Sequence, residues 1–158
     1  MIIPPPALQE LILREAACLD DLLYDDWLNL FDEECEYWIP RAHAQVDPRT
    51  HVSLFYEDRG LMTARVMRLR HPAAHSLAQP VRGVRIVGSF TMLSDNTLAD
   101  VDIVIRSRFH LVESQGSVQR IFAGTYTHTI RPDTLKIRRK RVDLINCDGP
   151  FEVLQVYL

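Results

Sequence analysis

Cysteine is scarce in this chain: Cys18, Cys35 and Cys147 are the only three in 158 residues, an odd set without paired spacing. That excludes a disulfide framework and implies free thiols in a reducing compartment. Cys18 falls in a helical pattern and Cys35 at a strand start, so both are expected to be buried. Long apolar runs are missing too. None approaches the ~18–20 residues of a membrane span. The N-terminal MIIPPPALQELILREA has no basic region, and Arg14 and Glu15 interrupt its apolar stretch, so no signal peptide is expected. Internal repeats, low-complexity tracts and linkers are absent. The expectation is a cytoplasmic protein with no membrane attachment.

What is present fits one domain spanning residues 1–158, long enough to bury a core without staples. The net charge of −3 conceals a split. Residues 1–60 carry 13 acidic and 4 basic side chains, whereas residues 61–158 carry 8 acidic and 14 basic. Such a division marks a partner surface or a contact inside an assembly. The densest basic run, Lys136, Arg138, Arg139, Lys140 and Arg141, lacks interleaved aromatics, and the pI is near 6.0. A nucleic-acid partner is therefore not expected.

Hydrophobic periodicity divides the chain. Leu8, Leu11, Ile12, Ala16, Leu19, Leu22 and Leu23 follow the i, i+3, i+4, i+7 spacing of one helical face. Asp25 and Asp26 suit the start of a second, short helix. Glu34 to Pro40 reads as a strand, with Cys35, Tyr37 and Ile39 opposite Glu36 and Trp38. His51–Tyr56 is a short strand candidate, Asp58–Gly60 a turn, and Leu61–Arg70 a third helix closed by Pro72. Four long strand patterns follow: Val81–Leu93, Leu98–Val112, Val118–Ile130 and Leu135–Ile145. Gly88 and Gly124 lie inside them, where glycines mark bulges or bends. Segregated helices and antiparallel strands give the α+β class.

Four short segments, in order, carry a family resemblance. They are Asp25-Asp26-Trp27-Leu28-Asn29-Leu30-Phe31, Tyr37-Trp38-Ile39-Pro40, Ser53-Leu54-Phe55-Tyr56-Glu57-Asp58-Arg59 and Leu61-Met62-Thr63-Ala64-Arg65-Val66. From about Leu8 to Leu144 the chain resembles the small (β) subunit of the aromatic-ring-hydroxylating dioxygenases, the Rieske non-haem iron oxygenases. It departs from many members at residues 82–89, where Arg82-Gly83-Val84-Arg85-Ile86-Val87-Gly88-Ser89 has neither the His nor the Asn of an Arg-x-x-His-x-x-x-Asn segment.

The resemblance implies an NTF2-like (cystatin-like) cone, a strongly curved antiparallel or mixed sheet wrapped on a long N-terminal helix. It also implies a non-catalytic subunit in aromatic-compound catabolism. The expected partner is an α subunit holding the Rieske 2Fe–2S cluster and a mononuclear iron, in an α3β3 complex built on a homotrimer of this chain. No cofactor is expected in the chain itself. Two residues beyond the three cysteines stand Asp20, Tyr37 and Gly149, never the His of a Rieske ligand pair. The six histidines are His43, His51, His71, His75, His110 and His128. His71 and His75 have i, i+4 spacing, but Pro72 breaks that register, so no metal site is expected. Candidate interface residues are Trp38, Arg65, Arg68, Arg138 and Lys140. The same fold also hosts isomerases and dehydratases with a general base at the mouth of the cone. A stand-alone pocket protein of that kind is the alternative reading. Its candidate residues are Tyr24, Asp26, Tyr37, His110, Tyr126 and His128.

Overall fold

The computed structural model describes residues 2–70, 81–93, 101–150, 154 and 156–158. Helix α1 spans Pro6–Asp20 and begins with proline, whose missing N–H costs nothing in a first turn. Its buried stripe is Leu8, Ile12, Ala16 and Leu19, as the spacing predicts, with Glu15 and Cys18 buried beside it. The stripe stops there. Leu22 takes a left-handed backbone (φ 59°), the Leu23 amide donates to Cys18 O at 2.8 Å, and both leucines are about half exposed. Helix α2, Tyr24–Asn29, holds Asp25 and Asp26 in its first turn and buries Trp27 and Leu28.

Strand β1 is longer than its alternation suggests, covering Phe31–Pro40. Strand β2 is Ser53–Asp58, and helix α3, Arg59–Arg70, follows it directly. Asp58 does not form a separate turn. Its carboxylate accepts from the Leu61 amide at 2.9 Å and so caps α3. Strands β3 (Val81–Met92), β4 (Ile103–Gln115), β5 (Val118–Ile130) and β6 (Ile137–Leu144) complete a six-stranded sheet. Pro72, the His71–His75 pair, the Ser94–Asn96 turn and the expected start of β4 at Leu98 lie outside the described residues.

The sheet order is β2-β1-β6-β5-β4-β3. β1 and β6 run parallel and every other pair is antiparallel, so the sheet is mixed. Irregularities bend it. β3 shifts register between Gly88 and Thr91, where Ser89 has φ 53°. β6 carries one extra residue against β5, because Thr129 faces Arg139 while Ile130 faces Ile137. The core joins the inner stripe of α1, Trp27, Met62 and Val66 to the inner sheet residues Tyr37, Ile39, Ile105, Phe109, Leu111, Tyr126 and Val142.

Candidate functional site

The interior of the fold lies between the sheet and the helices. One transverse row of the sheet points into it: Tyr37 of β1 faces Lys140 of β6, which faces His128 of β5, which faces Ile105 of β4. The next inward row is Val142, Tyr126 and Ser107. Glu15 comes down on these rows from α1. Lys140 Nζ donates to both Glu15 oxygens at 2.9 Å and to the Leu158 main-chain oxygen at 2.8 Å. Trp27 Nε1 donates to Glu15 Oε1 at 2.5 Å. Glu15, His128 and Lys140 are all 0% exposed.

Burial alone raises a carboxyl pKa, yet Glu15 is held down at about 2, because the Lys140 ammonium and its hydrogen-bond donors outweigh desolvation. Lys140 falls to about 8, since desolvation exceeds what Glu15 returns. Both groups are therefore charged at neutral pH. Burial also lowers His128, against the pull of Glu15, and keeps its ring neutral.

Aromatic rings and the chain end fill the rest. Phe109 stacks on Tyr126 with centroids 3.9 Å apart, and Tyr157 packs against Trp27 and Tyr37 at 4.4 and 4.9 Å. Tyr157 donates to Glu57 Oε2 at 2.6 Å, and Tyr37 donates to the Leu158 main-chain oxygen at 2.7 Å. Among the described residues, a cleft of about 20 Å³ opens between Leu19, Tyr24, Arg85, Leu111 and Tyr157. It has room for about one water, against the roughly 300–1,000 Å³ of small-molecule sites.

Of the isomerase-type candidates, the structure gathers Tyr37, Tyr126 and His128 on neighbouring inward rows and leaves Asp26 and His110 outside. Tyr24 lines the small cleft. Tyr37, Tyr126 and His128 are fully buried, with burial pushing the Tyr126 phenol far above its ordinary range. His110 and Asp26 are exposed, and His110 points away from the interior, opposite Ile86 and Ala123. Sequence reasoning missed Glu15, which lies on the buried stripe of α1 among leucines. It also missed Arg85, an inward residue of β3 that is ion-paired with Asp20 and donates to Tyr157 O at 2.6 Å.

Two interface candidates need correction. Lys140 is 0% exposed because the extra residue in β6 turns its side chain inward. Trp38 is 1% exposed, its indole N–H donating to Ser53 Oγ at 2.9 Å and its ring covered by the Arg141 guanidinium at 4.3 Å. Neither is available to a partner. Arg138 is exposed and pairs with Asp102 at 3.0 Å. Arg65 donates to Glu57 at 2.7 Å and, with Arg68, Phe55 and Tyr56, lines a groove of about 640 Å³. All three thiols are free and buried, with pKa values raised by burial, Cys35 to about 11. Among the described residues the metal-type donors gather outside the interior, at His43, Cys147 and Asp148.

The family described as ring hydroxylating beta subunit matches residues 14–148. The chain belongs to that family. It is 33% identical over 153 residues to the small subunit of 2-halobenzoate 1,2-dioxygenase from Burkholderia cepacia, covering 92% of this chain and 90% of that one. It superposes on the β subunit of benzoate 1,2-dioxygenase from Burkholderia mallei with TM-score 0.72 and 23% identity, covering 92% and 93% of the two chains. An NTF2-like protein with a cystatin-like fold from Novosphingobium aromaticivorans aligns at TM-score 0.53 and 16% identity, over 87% and 79%. The fold is thus the NTF2-like cone expected from the sequence, and the chain is a β subunit of the ring-hydroxylating type. Among the described residues no helix is long and apolar enough to cross a membrane.

Proposed function

We propose that this chain, one NTF2-like domain over residues 1–158, is the structural, non-catalytic subunit of a cytoplasmic aromatic-ring-hydroxylating dioxygenase. It supports an α subunit that holds the Rieske cluster and the mononuclear iron, in an α3β3 complex built on a homotrimer of this chain. The observation that carries this reading is the filled cone. Where a pocket enzyme of this fold needs an open cavity, Trp27, Tyr37, Tyr126, Tyr157 and the Glu15–Lys140 pair occupy the space. The outer surface supports the same reading. Val84, Ile86 and Ile121 are 62%, 71% and 66% exposed, and they share the outer face with Val112 across β3, β4 and β5. A sheet face with this much exposed apolar surface suits a partner. Arg138, Arg65 and Arg68 supply basic edges for an acidic neighbour.

Light scattering on the purified chain tests the assembly. A homotrimer has three times the 18.2 kDa chain mass. A monomer at micromolar concentration and physiological salt would remove the trimeric platform from the account.

A further inference from the structure

We propose that His43, Cys147 and Asp148 form a binding site for a divalent ion of the zinc class, clamping the β1–β2 loop onto the turn that follows β6. Neither the cysteine spacing nor the histidine spacing of the sequence leads to an expected metal in this chain. These donors come from segments far apart in the chain. One ligand atom from each, an imidazole nitrogen, a thiol sulfur and a carboxylate oxygen, lies within 4.8 Å of the other two. Zinc bonds to these atoms at about 2.0–2.3 Å in a tetrahedral arrangement, so two ligand atoms of one ion stand roughly 3.4–3.6 Å apart. Closing the site takes small rotations of His43 and Asp148, whose side chains are 61% and 71% exposed and 3.8 Å apart. Imidazole with thiolate and carboxylate is the donor mixture of zinc rather than of magnesium or calcium, which take oxygen ligands.

The two segments are held in place without any ion. Arg141 Nη1 donates to Gln45 O at 2.7 Å, while Nε and Nη2 grip the Asp143 carboxylate, each at 2.7 Å. On the loop side, Gln45 Oε1 accepts from the Arg41 amide at 3.1 Å, and Ala44 sits in a left-handed conformation (φ 59°) next to His43. On the other side, the Gly149 amide donates to Asn146 O at 3.0 Å and closes the turn that carries Cys147 and Asp148. The metal therefore meets a site whose backbone is already in position, and less entropy opposes binding. On binding, the Cys147 thiol releases one proton to solvent and its thiolate joins the ion. The His43 imidazole, the Asp148 carboxylate and one water complete four-coordination. The inference does not depend on the proposed role in a dioxygenase.

The test uses the full chain, stripped with a chelator and titrated with Co²⁺ and then Zn²⁺. One Co²⁺ should bind per chain with a thiolate-to-cobalt charge-transfer band that Zn²⁺ abolishes. His43→Ala and Asp148→Asn remove exposed side chains, so they should keep the native circular dichroism. Each should weaken binding by about tenfold or more. Cys147→Ser should remove the band. If Cys147→Ser misfolds, the two exposed variants still decide. Absence of binding, or undiminished affinity in both exposed variants, would overturn the proposal. So would a band that survives in Cys147→Ser, because it would place the thiolate at Cys18 or Cys35.

Discussion

Lys140 Nζ lies 2.9 Å from each carboxylate oxygen of Glu15, and the two side chains, on β6 and α1, are both 0% exposed. This pair fixes how the long helix sits in the sheet. Replacing one member leaves the other as a buried, uncompensated charge. Lys140→Met or Glu15→Leu should therefore each cost about 3–5 kcal/mol in urea unfolding. The double variant Glu15→Leu/Lys140→Met should cost less than either single one. Additive losses would show that the two residues do not act as a pair.

Acid should destabilise the protein in two stages. His128 has its pKa lowered from 6.5 by burial, so below about that value the unfolded chain takes up a proton the native state refuses, and stability falls. Glu15 is held at about 2 against an ordinary 4.5, so its contribution is full above 4.5 and is lost as pH drops from there towards 2. His128→Phe should flatten the upper stage and leave the lower one. A stability curve unchanged by that substitution between pH 7 and 5 would contradict the assignment.

Gly124 is a point of close approach. A Cβ built there would stand 2.0 Å from Asp143 O, so Gly124→Ala must push β5 and β6 apart. A loss of at least about 2 kcal/mol is expected, comparable to overpacking a core. Gly88→Ala is the control, because nothing lies within 4 Å of its built Cβ. Equal effects of the two substitutions on the melting temperature would refute the packing argument.

Ile86→Asp and Ile121→Asp change only exposed positions of the outer sheet face. The chain should keep its melting temperature within a few degrees, because surface substitutions usually shift stability by less than about 0.5 kcal/mol. Its self-association, read by light scattering, should weaken. Intact assembly in the double variant would move the interface elsewhere on the surface.

How much of this was readable depends on the kind of signal. β5 reads residue for residue as Val118–Ile130, because Phe122, Gly124, Tyr126 and His128 keep the two-residue period. The alternation of Val84 and Ile86 in β3 was equally clear, but period two does not say which face is inside. Here the apolar face is outside, and Arg85 turns inward to Asp20. In the sequence Lys140 reads as a surface cation in a basic run. A single extra residue in β6, which no local residue type announces, rotates it into the core. Alternation with Tyr37 and Ile39 puts Trp38 on the face opposite the core. Arg141 and the loop ending at Ser53 cover that face, and such long-range cover has no local signature. The family segments around Trp27, Tyr37 and Asp58 did identify the fold, because they encode its helix entry, its first strand and the cap of α3.

The most direct test of the account is affinity purification of the tagged chain from its native host grown on aromatic compounds, with iron analysis and mass spectrometry of what accompanies it. The account predicts a stoichiometric larger subunit bearing Cys-x-His ligand pairs, with all the iron in that subunit. An iron-free preparation of this chain alone, with no larger partner under those conditions, would contradict it.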